Sequence, residues 1–167
     1  MMQLDHYSSP FSKRTFPITL VCENVSNAPN IGSLFRTADA FGIEKLVLCG
    51  QNIPMGRKMI KTSRATEKSV NFEIVDDALA VVSSLKAIGY EILALEITNN
   101  SIPIHTFQIS KNKPVALLIG DENFGVSEPL LRVSDTIIHI DMYGQNSSMN
   151  VVQATTVALY EITRQLL

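Results

Sequence analysis

Short runs of branched apolar residues recur along this chain. Each is released into a polar or glycine-bearing loop that leads toward a stretch with helical spacing. Six such runs, at 18–22, 45–49, 71–75, 91–95, 115–119 and 137–140, read as strands. Helices are predicted at 33–41, around 58–62, at 77–88, near 127–133 and at 148–166. Strands that alternate with helices predict an α/β fold: a mainly parallel six-stranded sheet with helices on both faces. A parallel strand can be reached only by a crossover, and the crossover helices cover the sheet. Runs this continuously apolar suit strands buried on both sides.

Local signals support that reading. Asn30 reads as a helix cap, Leu34, Ala38 and Phe41 follow at helical spacing, and Gly42 ends the helix. Asp76 and Asp77 open the next long helix, where acidic residues suit the dipole, and Leu79, Val82, Leu85 and Ile88 form its expected apolar face. Pro129 falls in the first turn of a short helix, where its missing N–H costs nothing. The last helix presents Val151, Val152, Thr155, Ala158, Leu159 and Ile162. Residues 1–16 read as an irregular arm and 98–113 as a long connection.

Bulk properties exclude several classes. A length of 167 residues, 46% of them apolar, is single-domain size with a real core and leaves no room for a separate RNA-recognition domain. Trp is absent and aromatics are 7%, which argues against a broad stacking platform for single strands. Cys22 and Cys49 lie far apart in apolar runs, and with three scattered histidines they complete no metal-ligand set. Buried free thiols, no apolar signal core in 1–14, and no run near the ~20 residues needed to cross a bilayer predict a cytoplasmic protein away from membranes.

Three loops carry the chemistry. Gly120-Asp121-Glu122-Asn123-Phe124-Gly125 follows one apolar run, and Tyr143 to Asn150, with Ser147, Ser148 and Asn150, follows another. The two runs read as neighbouring buried strands, which places both loops where open α/β sheets bind ligands. The first has no Walker lysine, and its acidity disfavours phosphates while tolerating a cationic or zwitterionic ligand. Ser148 has no Ser-His-Asp context and reads equally as a helix cap. The third loop, at Asn30-Ile31-Gly32, leads to Arg36, whose planar guanidinium suits phosphate or simply solvent.

In order and spacing these loops resemble the three motifs of the SpoU (TrmH-like) branch of the SPOUT methyltransferases. Asn30, Gly32 and Arg36 match the first; Gly120, Glu122 and Gly125 the second; Ile140, Met142, Gly144, Ser148, Asn150 and Val151 the third. The resemblance implies a C-terminal deep trefoil knot, a rare exception to the rule against knots, and a homodimer. It implies S-adenosylmethionine, leaving as S-adenosylhomocysteine, held by Leu95, Glu96, Gly120, Glu122, Ile140, Met142, Ser148, Met149 and Asn150. The implied reaction is methyl transfer to a ribose 2′-hydroxyl of RNA without a metal, with Arg36, Asn30, Ser148 and Asn150 as catalytic residues. Arg36 is implied to act from the partner subunit, as base or as phosphate clamp. A guanidinium gives up its proton so reluctantly that the clamp is the better physical reading. Two departures stand out: Asp141 where the family often has Pro, which bears on loop rigidity and pocket charge, and Arg64 where glycine is common.

Arg57, Lys58, Lys61, Arg64 and Lys68 cluster in one polar segment, with Glu67 the only acid among them. A solvated loop is the plain reading. With the resemblance, the expectation becomes RNA contact by these residues and Arg36, joined by Lys13 and Arg14 of the arm. Without room for a recognition domain, a compact target such as tRNA is favoured. Three alternatives stay open: an rRNA 2′-O-methyltransferase, a non-catalytic RNA-binding protein that keeps the fold, and a small-molecule enzyme using Glu122 as base.

Overall fold

A computed structural model describes residues 10–167; the part of the predicted arm at 1–9 lies outside the described residues. Seven strands form one sheet: β1 (Phe16–Glu23), β2 (Ile43–Cys49), β3 (Phe72–Val75), β4 (Glu91–Leu95), β5 (Ile102–Pro103), β6 (Val115–Ile119) and β7 (Thr136–His139). Their order is β3-β2-β1-β6-β4-β7-β5 and every pairing is parallel. The extra strand over the six expected is β5, two residues inside the long connection, too short to leave a hydropathy pattern.

The helices are α1 (Ala28–Ala40), α2 (Arg57–Ser63), α3 (Ala78–Ala87), α4 (Glu128–Val133) and α5 (Val151–Leu166). Three local readings are corrected. Asn27, not Asn30, caps α1: its side chain accepts from the Asn30 N–H at 3.1 Å, and Pro29 fits the first turn. Asn150, not Ser148, caps α5, accepting from the Val152 N–H at 2.9 Å. In α3, Leu79 and Ile88 are exposed and only Ala78 and Val82 are fully buried, because the helix is short and touches the sheet along a narrow stripe.

Strand alternation splits the core in two. Ile18, Leu20, Cys22, Leu46, Leu48, Leu93, Leu117 and Ile119 face α1 and α5, and pack with Leu34, Phe35, Leu159 and Ile162. Val21, Val47, Cys49, Ile92, Ala94 and Leu118 face α3 and α4, with Val82 and Leu130. Both cysteines are free and buried, as expected. Burial pushes the Cys22 thiol well up; burial, then the carboxylates of Glu23, Glu73 and Asp77, push Cys49 up to about 12. Among the described residues no helix is long and apolar enough to cross a membrane.

The two motif loops do not follow neighbouring strands. β4 lies between β6 and β7, so the site is built on three adjacent strand ends rather than two. The order of strands in space cannot be read from hydropathy, which records burial but not who pairs with whom.

Candidate active site at the carboxyl ends of β4, β6 and β7

Because these strands are parallel, their carboxyl ends open onto one crevice. It is a cavity of about 330 Å³ lined by Leu95, Glu96 and Ile97 after β4, by Ile119 to Gly125 after β6, and by His139, Ile140, Met142, Ser148 and Met149 after β7. Val151 and Ala154 of α5 complete it. Eight of the nine residues expected to hold the cofactor line this cavity. Asn150, the ninth, is not in the lining; it caps α5 between the lining residues Met149 and Val151.

The Gly120–Gly125 loop is folded tightly on itself. Asp121 Oδ1 accepts from the N–H groups of Asn123 at 2.8 Å and Phe124 at 3.0 Å, and the Gly125 N–H donates to the Asp121 carbonyl at 2.8 Å. A Cβ on Gly120 would overlap the backbone of Gly125 and Val126, so only glycine permits this closure. Gly125 adopts φ +68°, and a Cβ there would collide with the Glu96 carboxylate. That carboxylate accepts from Ile97 N–H and Val126 N–H, both at 2.9 Å, and so ties the β4 end to the β6 loop.

Asn30 projects from the first turn of α1 to the same place. Its Nδ2 donates to Glu122 Oε1, and its Oδ1 accepts from Asn150 Nδ2 at 3.3 Å. All three motifs therefore touch at one point. Helices α1 and α5 also meet at the Thr37 and Thr156 hydroxyls, 3.4 Å apart.

Arg36 is not brought to this point. Six residues after Asn30, it sits about 120° around the helix and within about 40° of Gly32. Gly32 is pressed against α2, where a Cβ would lie 2.8 Å from Thr62 Cβ and 2.9 Å from Ser63 N. Arg36 is thus exposed beside α2, on the side of the basic segment. Arg57, Lys58, Lys61, Arg64 and Lys68 are all exposed as well. Arg64 and Ala65 take φ of 51° and 70° in succession, the left-handed region where glycine is at ease. This accounts physically for glycine being common at position 64. Arg14, expected to extend the patch, is turned elsewhere: it donates to the Leu166 carbonyl at 3.3 Å and stacks 4.8 Å over Phe16.

Sequence reasoning missed His139, which lines the cavity, and its neighbour Asp141. His105 and His139 both lie within 3.4 Å of Asp141, and His105 arrives through the β5 connection whose pairing left no pattern. Among the described residues no group of three or more His, Cys, Asp or Glu is placed to hold a metal ion.

The geometry has counterparts. Residues 17–160 match the SpoU rRNA Methylase family. The tRNA (guanosine(18)-2'-O)-methyltransferase of Aquifex aeolicus is 30% identical over 153 residues, 92% of this chain and 72% of that protein. The solved A. aeolicus TrmH/SpoU tRNA modifying enzyme superposes with a TM-score of 0.82, covering 92% of this chain and 77% of its own. An AdoMet-bound rRNA methyltransferase from Sinorhizobium meliloti gives 0.82 at 26% identity, over 90% of this chain and 57% of that one. A structure addressing 2-OH methylation of C/U34 on tRNA gives 0.79 at 25% identity, over 89% of this chain and 95% of that one. The chain spans 66–78% of the length of the tRNA (guanosine(18)-2'-O)-methyltransferases it matches.

Proposed function

This chain belongs to the SpoU rRNA Methylase family, and from that premise we propose that it is an RNA 2′-O-ribose methyltransferase that uses S-adenosylmethionine and acts on tRNA in the cytoplasm. The observation that carries the reading is the meeting of Asn30, Glu122 and Asn150, from three separate motifs, at a cavity that Glu122 lines. The cavity falls in the size range of small-ligand sites. Its glycine-closed wall and its carboxylates at Glu96, Asp121 and Glu122 suit a ligand with cationic groups and no phosphates.

S-adenosylmethionine, when bound, supplies an electrophilic methyl group. The chain must hold the ribose oxygen in line with it, and positioning of this kind supplies much of a rate enhancement. Leu95, Ile140, Met142 and Met149 offer apolar wall, while Glu96, Gly120, Glu122, Ser148 and Asn150 offer polar and backbone contacts. Asn30, fixed between Glu122 and Asn150, orients the ribose from the α1 side. Arg36 grips the phosphate beside the target and stabilises charge developing on the ribose oxygen.

Because Arg36 stands about 120° around α1 from Asn30 and outside the cavity lining, it serves the cavity of a second copy in a homodimer. The exposed lysines and arginines at 57–68 then lie along the RNA path. The strand order supports the trefoil knot. The chain lays down β4 and β5, returns to insert β6 between β1 and β4 and β7 between β4 and β5, and closes with α5 against α1. tRNA is favoured over rRNA because the curated relatives include tRNA enzymes and the chain covers nearly all of a structure concerned with tRNA.

The test is methyl transfer from labelled S-adenosylmethionine to unmodified bulk tRNA, with nuclease mapping of the product. A 2′-O-methylated nucleotide is expected. Incorporation only into rRNA would replace the substrate, and cofactor binding with no RNA methylation would overturn the activity.

A further inference from the structure

The loop from Ile140 to Met149 forms one wall of the cavity, yet among the described residues it is scarcely tied down. None of positions 141–149 takes part in a backbone hydrogen bond outside the regular elements. At its C-terminal end Asn150 is fixed by Asn30 and Val152. At its N-terminal end the polar anchor is Asp141, whose two oxygens each face an imidazole: Oδ2 lies 3.4 Å from His105 Nδ1 and Oδ1 lies 3.4 Å from His139 Nε2. We propose that Asp141 is a positioning residue, which clamps the cofactor-pocket loop to the 101–105 segment through a charge-paired His139 and His105. The proposal rests on the cofactor reading above.

The hydrogen bonds around His139 couple its charge to the clamp. Its Nδ1 is 2.9 Å from Ser101 Oγ. That hydroxyl gives its only proton to the Thr98 carbonyl at 2.9 Å and accepts from the Thr98 N–H at 3.0 Å. With its proton on the Thr98 carbonyl, Ser101 offers the ring a lone pair, and in this arrangement Nδ1 carries the proton. In neutral His139 the other nitrogen, Nε2, then points a lone pair at the Asp141 carboxylate. Only the doubly protonated ring donates to Ser101 and pairs with Asp141 at once. The clamp engages when His139 is charged and loosens when it is not.

The surroundings are acidic. Glu96, Asp121 and Glu122 share the cavity with His139, and Glu161 of α5, paired with Arg164, lies near enough to His105 for the imidazole to help lower its carboxyl. The pairs are partly open, with His139 20% and Asp141 31% exposed, so the effect is modest.

Calorimetric titration of the full chain with S-adenosylhomocysteine tests this at about pH 6 and about pH 8, within and above the range where imidazoles carry charge. The unaltered chain is expected to bind about two- to fivefold tighter at the lower pH, the range for partly exposed charge pairs. Asp141→Asn, of the same shape, should remove that difference. Ser101→Ala should reduce it, leaving the part that His105 contributes, with tighter binding retained at the higher pH, because neutral His139 is then free to move its proton to Nε2 and face it to Asp141. Thermal melting checks that each variant is folded. An equal pH dependence in Asp141→Asn and the unaltered chain would overturn the clamp alone. Absence of binding by the unaltered chain at either pH would overturn the cofactor reading and the clamp with it.

Discussion

Asn150 donates its side-chain amide to the Asn30 carbonyl oxygen at 3.3 Å while its own oxygen caps α5 by accepting from Val152. One side chain therefore does two separable things: it starts a helix and it fixes the first motif to the third. Asn150→Asp keeps the capping oxygen and loses the donor. Thermal stability should stay near that of the unaltered chain while methyl transfer falls steeply. Asn150→Ala should in addition lose about 1 kcal/mol from the missing cap, and comparing melting curves with turnover separates the roles.

Arg36→Ala should abolish methylation and leave S-adenosylhomocysteine binding intact, since Arg36 lies outside the cavity lining. If Arg36 serves a partner's cavity, mixing this variant with one disabled in the cavity, Gly120→Val, should restore part of the activity. Mixed dimers can pair one intact Arg36 with one intact cavity. No recovery from verified mixed dimers would place Arg36 in its own subunit's site.

The glycines of the motifs should divide sharply. Gly120→Ala forces a methyl group into the Gly125 backbone and should destroy cofactor binding, at a cost of about 1–3 kcal/mol or more in stability. Gly144 has nothing within 4 Å of an added Cβ, so Gly144→Ala should fold with unchanged melting temperature. Parallel melts and cofactor titrations check both.

RNA affinity should fall with salt, and each phosphate contact removed from the 57–68 segment should reduce the slope of log K against log salt by roughly 0.7–0.9. Lys58→Ala and Lys61→Ala, both exposed on α2, are the variants to measure by filter binding. A slope unchanged in the double variant would leave the segment as solvated surface.

Glu161 sets an acid limit on α5. The hydrogen bond from Arg164, then that from Gln165, hold its carboxyl down from the ordinary 4.5 to about 2, against a desolvation cost. Its folded value lies below its unfolded one. The contribution is therefore complete above about pH 4.5 and is lost as pH falls toward about 2. Glu161→Gln should lower stability at neutral pH and flatten the acid limb between those values in pH-dependent denaturant melts.

The α/β class and the strands at β4 and β6 to the residue were legible in the amino-acid order, because burial on both faces writes apolar runs; eight residues of the cavity lining were named through the ordered motifs, whose tight loop demands glycine at particular positions. Capping was legible only to within a few residues: Asn27 and Asn150 took the places expected of Asn30 and Ser148, since any of several short polar side chains at a helix start can accept the same N–H. What tertiary structure alone decided was adjacency. That β4 separates β6 from β7, that the Gly32 side of α1 packs against α2, and that His105 and His139 close on Asp141 all depend on contacts between residues far apart in the chain. Periodicity reports which side of an element is buried, whereas the partner it is buried against is chosen by packing across the whole sheet.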